Sequence, residues 1–135
     1  MFNLSQATEE YLLKVIIAGS RGIEDYSMLL SALKLINFEI TEVVCGLAVG
    51  VDLLGERWAI TNNIPIKYMP AKWDVYGKKA GIVRNKEMAD YADAAIVLWD
   101  TKSPGAKNMI HEMQKRMKPV YIQIPSTPLD ALNGE

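Results

Sequence analysis

Three short stretches set glycine beside residues that can hold an anion. They are Gly19-Ser-Arg-Gly22, then Gly46-Leu-Ala-Val-Gly50 with Asp52 close behind, and Ser103-Pro-Gly105 followed by Lys107 and Asn108. Glycine lets a backbone turn sharply and approach a ligand with no Cβ in the way. Where such a turn opens a helix, free N–H groups and the positive dipole end favour phosphate. Any one of these glycine turns is equally well a plain tight connection. Three of them, each after an apolar run and accompanied by Ser20, Arg21 and Ser103, favour phosphate or another anionic group. The first stretch is not a P-loop, since no Gly-Lys-Ser/Thr follows, and it lacks the full G-x-G-x-x-G spacing. Asp52 reads as a helix N-cap, with contact to a ribose hydroxyl as the alternative.

A second concentration of chemistry lies between Met69 and Lys86. Lys72, Lys78, Lys79, Arg84 and Lys86 stand against the single acid Asp74, a local charge of +4 in a chain of net charge −1. Trp73 and Tyr76 offer faces on which a base can stack, and Lys78 and Arg84 can neutralise phosphate. The competing reading is a solvated basic loop with its tryptophan against the sheet edge. Arg84 and Asn85 are expected to open a helix, a position suited to an anion.

Other chemistries have little to stand on. His111 is the only histidine and lies mid-helix beside Glu112, so it is expected to face solvent. Cys45 is the only cysteine, which excludes an internal disulfide, and at the end of an apolar strand it reads as buried and inert. One histidine and one cysteine argue against a transition-metal site, and no metal is expected. Asp52, Asp90, Asp93 and Asp100 are too dispersed to define a site.

The elements that must position these residues are legible in the hydrophobic pattern. With 135 residues, 50% of them hydrophobic, the chain is expected to form one domain with its own core. Strands are expected at Lys14–Ala18, Glu42–Cys45, Ile66–Met69, Ala94–Trp99 and Pro119–Ile124. The spacing predicts helices over Tyr26–Ile36, Asp52–Asn62, Ile82–Tyr91 and Ala106–Met117. Met28, Leu29, Ala32, Leu33 and Ile36 share one face of the first, and Leu54, Trp58 and Ala59 one face of the second. Met109, Met113 and Met117 form a stripe expected to pack on the sheet. Residues 1–13 read as a lead-in with a short helix around Gln6–Leu13, and residues 125–135 as a surface tail. Alternating strands and helices with short connections imply an α/β fold, a Rossmann-like three-layer sandwich with a mainly parallel five-stranded sheet and a central first strand. In such a sheet ligands bind beyond the carboxyl ends of the strands, where all the unusual residues fall. No apolar run nears the roughly 20 residues that span a bilayer. The first ten residues lack a signal peptide's basic start and apolar stretch, so the cytoplasm is the expected compartment.

Taken together, Gly19–Gly22, Cys45-Gly-Leu-Ala-Val-Gly-Val-Asp52, Met69-Pro-Ala-Lys-Trp-Asp74, Ala80-Gly-Ile-Val-Arg-Asn-Lys-Glu-Met88, Tyr91-Ala-Asp93 and Ser103-Pro-Gly105 resemble the SLOG superfamily. That group includes the LOG enzymes and DprA, and the resemblance, from about Lys14 to Val120, is nearest to its YspA-like branch of bacteria and phages. It implies a nucleotide-binding pocket and, as often in this fold, a homo-oligomer. In LOG enzymes an arginine in an Arg-Lys-x-x-Met motif and a glutamate after a Pro-Gly-Gly-x-Gly-Thr loop cleave the bond between base and ribose 5′-phosphate. Arg84-Asn-Lys-Glu-Met88 is similar to the first motif. Ser103-Pro-Gly-Ala-Lys-Asn108 departs from the second, and Asn108 stands about where the glutamate would be. A carboxamide supplies no general acid, and Glu112, one turn on, points to no simple substitute.

The expected function is therefore binding of a nucleotide or ADP-ribose-like ligand, to sense or sequester it, without catalysis and without a required cofactor. Gly19, Ser20, Arg21, Gly22, Gly46, Leu47, Ala48, Gly50, Asp52, Ser103, Pro104, Gly105 and Asn108 would hold phosphate and ribose. Lys78, Arg84 and Asn85 would meet charge, and Trp73 or Tyr76 would cover the base. The alternatives are a nucleoside 5′-monophosphate glycosidase using Arg84 and, less favoured by the overall charge, a DprA-like grip on single-stranded nucleic acid.

Overall fold

The computed structural model describes residues 12–125. Its elements run β1 (Leu12–Gly19), α1 (Tyr26–Leu35), β2 (Glu39–Cys45), α2 (Val51–Thr61), β3 (Ile66–Tyr68), α3 (Trp73–Tyr76), α4 (Ala80–Tyr91), β4 (Ala94–Leu98), α5 (Pro104–Lys115) and β5 (Val120–Gln123). The five strands form one sheet in the order β3-β2-β1-β4-β5, every pair parallel. The α/β sandwich and the central first strand are thus as the sequence predicts.

Period-two alternation divides the sheet's side chains between two cores. Val15 and Ile17 of β1, Val43 of β2 and Ala94, Ile96 and Leu98 of β4 face one side, against Leu29 and Ala32 of α1 and Val51, Leu54 and Ala59 of α2. Ile16, Ala18, Val44, Ala95 and Val97 face the other, against Met88 and Ala89 of α4 and Met109, Ile110 and Met113 of α5. A strand covered on both faces needs an unbroken apolar run, and that is why Val15–Ala18 carries no polar residue. Gly55 lets α2 lie directly on β1, where an added Cβ would stand 2.8 Å from Ile17 Cβ and Cγ2.

Several boundaries differ from the sequence reading, for local reasons. β1 begins at Leu12, so Leu12 and Leu13 are strand residues rather than the end of a lead-in helix; the rest of that expected helix, and the tail from residue 126, lie outside the described residues. The methionine stripe ends early. Met109 and Met113 are buried, but α5 stops at Lys115, and Met117 takes a left-handed conformation (φ 57°) with 93% of its surface exposed. The stretch after β3 is mostly helical: α3, a 3₁₀ turn at Gly77–Lys79, then α4 two residues before the expected start. His111 is exposed and Cys45 fully buried, both as expected.

Candidate functional site

The loops after β1, β2 and β4, the α3–α4 segment and the start of α5 meet at the carboxyl edge of the sheet. After β1 the chain turns through Ser20 and Arg21. Ser20 is fully buried: its N–H donates to the Leu98 carbonyl (3.0 Å) and its Oγ accepts from the Asp100 N–H (2.9 Å). The hydroxyl expected to meet a ligand therefore clamps the first loop to the fourth. Arg21 and Gly22 are exposed, and both line the cavity described below.

Asp100 organises the loop after β4. Its Oδ1 accepts from the N–H groups of Lys102 (2.8 Å) and Ser103 (2.7 Å), and its Oδ2 from Ser103 Oγ (2.9 Å). The Lys102 and Ser103 amides stabilise the carboxylate and pull its pKa down to about 2. The dispersal of the acids along the chain hides this role, whose signal is the three-residue spacing from Asp100 to Ser103, that of a local carboxylate-to-backbone turn. Ser103 occupies the N-cap of α5, but its own hydroxyl is spent on Asp100.

The loop after β2 is built around Gly50 and Asp52. Gly50, not Asp52, is the N-cap of α2. It has φ 83°, and a Cβ there would stand 2.6–2.8 Å from backbone atoms of Ser20 and Arg21, so only glycine fits where the two loops touch. Leu47 also has a left-handed backbone (φ 60°), a costly conformation for a branched side chain. Asp52 is the second residue of α2 and folds back to accept from the Ala48 N–H (3.1 Å). It is only 4% exposed, and burial pushes its pKa up to about 6 against the opposing pull of the Ala48 amide and Arg84.

Arg84 and Asn85 lie in the second turn of α4 rather than opening it, so they act through side chains and not through free amides. Arg84 Nη1 donates to the Gly46 carbonyl (2.6 Å), and Nε donates to Asn85 Oδ1 (3.1 Å). Gly46 leaves room for these groups: a Cβ there would displace the Arg84 guanidinium and come within 2.9 Å of Asp52 Oδ2. Asn85 Nδ2 continues to Asn108 Oδ1 (2.9 Å) and the Gly105 carbonyl (3.3 Å), tying α4 to α5.

These pieces enclose a cavity of about 610 Å³, within the usual range of small-molecule sites. Its wall brings together Gly19, Arg21, Gly22, Ala48, Asp52, Trp73, Lys78, Arg84, Asn85, Ser103, Pro104, Gly105 and Asn108. Ser20, Gly46, Leu47, Gly50 and Tyr76 fall outside that wall; Gly46 and Gly50 support it by close packing, and Tyr76 stands apart at 43% exposure. The sequence reading missed Ala18, Gly81, Ile82, Met88, Ala106 and Met109, which complete the wall. The helical spacing of Gly81, Arg84, Asn85 and Met88 on α4 would have flagged a shared face. Trp73 is half exposed, and its ring edge would lie 3.6 Å from a Cβ at Gly81. Three cations, Arg21, Lys78 and Arg84, thus share this wall with one buried carboxyl, Asp52. Glu112 is held on α5 by Arg116 Nη1 (2.8 Å) and is no part of this wall. Among the described residues no cluster of three His, Cys, Asp or Glu side chains is arranged for a metal ion.

A doubly covered parallel sheet with a ligand-sized cavity at the carboxyl ends of its central strands, where the crossovers part, defines a Rossmann-like α/β protein. Residues 13–76 match the model of the YspA, cpYpsA-related SLOG family. Over 119 residues the chain is 32% identical to Gene 61 protein of Mycobacterium phage D29, covering 79% of this chain and 93% of that one. The chain belongs to the YspA, cpYpsA-related SLOG family. Its fold is similar to that of DNA processing protein A (DprA) from Streptococcus pneumoniae, with a TM-score of 0.66 and 21% identity. That likeness covers 89% of this chain but only 53% of DprA, so the chain spans about half the length of this structural neighbour. Among the described residues no helix is long and apolar enough to cross a membrane.

Proposed function

We propose that the cavity binds a nucleotide-derived small molecule, of the nucleoside-phosphate or ADP-ribose class, and holds it without cleaving it. The observation that carries this reading is one cavity, at the switch point between β1 and β4, combining three cationic side chains with a half-exposed tryptophan. Arg21, Lys78 and Arg84 supply charge-assisted donors to phosphoryl oxygens, and Trp73 supplies a face for a base. Asn108 gives neither a general acid nor a nucleophile.

Incubating the protein with AMP or ADP-ribose is expected to raise its melting temperature and return the ligand unchanged on chromatography. A ligand at a hundred times its Kd stabilises the fold by about 2.7 kcal/mol. Arg21→Ala and Arg84→Ala are each expected to weaken binding about tenfold or more, the loss of one charged hydrogen bond. Unaltered affinity in both variants would place the ligand elsewhere. A labelled oligonucleotide that binds in its stead, with strong salt dependence, would favour a nucleic-acid role.

One observation favours a second reading, hydrolysis of a nucleotide's N-glycosidic bond. Asp52 is a buried carboxyl of raised pKa on the wall, in the field of Arg84. Release of free base that disappears in Asp52→Asn would establish that activity.

A further inference from the structure

Hydrogen-bond directions along the cavity wall decide which way the Asn108 amide faces. Arg84 Nε can only donate, so the Asn85 atom it meets at 3.1 Å must be the oxygen. The other end of the Asn85 amide is then Nδ2, which matches its contact with the Gly105 carbonyl, a group that can only accept. Asn85 Nδ2 also meets Asn108 at 2.9 Å, so Asn108 must turn its oxygen inward to Asn85 and its Nδ2 away. That Nδ2 has no partner among the described residues, and among those residues no buried side-chain polar atom lacks one. It is therefore open to solvent, on a residue that lines the cavity. The same holds for Arg84 Nη2, since Nη1 is held by the Gly46 carbonyl and Nε by Asn85. Two donors, each oriented from behind, thus stand on one wall.

We propose that Asn85 is a positioning residue that fixes Asn108 as a hydrogen-bond donor, and that Asn108 and Arg84 together select a phosphoryl group over an uncharged ligand. This rests on the nucleotide reading above and extends it from which ligand class enters to which end of the ligand this wall recognises. A free-standing asparagine would present either end of its amide and accept a hydroxyl as readily as it donates to phosphate. Locked through Asn85, it only donates.

The test compares AMP with adenosine, which share base and ribose and differ by the phosphate. Asn108→Asp keeps an oxygen for Asn85 Nδ2 but turns a carboxylate oxygen to the cavity in place of the donor. AMP affinity is expected to fall at least tenfold, with adenosine affinity changed less than about twofold. Asn85→Asp gives Asn108 a carboxylate to donate to, reverses its amide, and is expected to lower the AMP-to-adenosine preference in the same direction. Should Asn108→Asp fail to fold, Asn108→Ala is expected to reduce that preference several-fold. A preference unchanged in the folded variants, or AMP and adenosine weakened alike, overturns the donor assignment while leaving the nucleotide reading intact. Wild-type protein that binds neither compound, nor ADP-ribose, overturns both.

Discussion

Asp52 is the residue whose environment departs most from what its sequence position suggests. As an N-cap it would sit in solvent with an ordinary carboxylate pKa. As the second residue of the helix it lies beside Ala48 and Arg84, and burial pushes its pKa up to about 6. The proton is therefore held more tightly in the folded chain than in the unfolded one, whose value is near 3.8. This group favours folding most below pH 4, and its contribution is lost as pH rises through 6. Chemical denaturation of wild type and Asp52→Asn at pH 8 and pH 5 should show the wild type gaining on the variant at the lower pH. The gain is bounded by about 3 kcal/mol, the worth of a two-unit shift. Equal pH dependence in the two proteins would contradict the buried position. The loop residues share one lesson: Ser20, Gly46 and Gly50 each serve a neighbouring loop or side chain and stand behind the cavity wall.

Among the elements, α2 and α4 decide the shape of the cavity. α2 approaches β1 closely because Gly55 presents no side chain to Ile17, and this closeness carries Asp52 to the rim. Gly55→Ala places a methyl 2.8 Å from the branch carbons of a fully buried isoleucine, which have no free rotor to yield. Overpacking of this kind costs about 1–3 kcal/mol, offset in part by the roughly 1 kcal/mol helix preference of alanine over glycine. Net destabilisation, read as a lower denaturant midpoint, is the expected outcome; a stabilised variant would show that the helix is free to lift. α4 brings Arg84, Asn85 and Met88 onto one face, and this converts a basic stretch of sequence into one wall. Its linkage to α5 is reinforced by Arg116, which reaches Asp90 Oδ1 (2.7 Å) and Glu112 Oε1 (2.8 Å).

At the scale of the molecule, the strand order places β1 and β4 side by side with their crossovers leaving in opposite directions, so their loops part and leave room. The phosphate-facing and base-facing residues of the proposal line this same space, and AMP and ADP-ribose are accordingly expected to compete. Saturating AMP should abolish the calorimetric heat of ADP-ribose binding; independent, additive binding would require a second site. The sequence alone determined the architecture, because unbroken apolar runs and 3.6-residue stripes are local patterns that a covered parallel sheet and its helices demand. Val15–Ala18, the face of Leu29 and Ala32 and the rim position of the glycine turns were all legible this way. It could not determine which rim residues face the cavity, since Ser20 and Arg21 are neighbours in one turn, yet one clamps Asp100 and the other stands exposed. Only the tertiary structure decided that, through hydrogen bonds and close contacts between residues 20 to 80 positions apart, such as Asn85 with Asn108 and Ser20 with Asp100. Partners so distant are chosen by the packing of whole elements, and no local pattern in the chain encodes them.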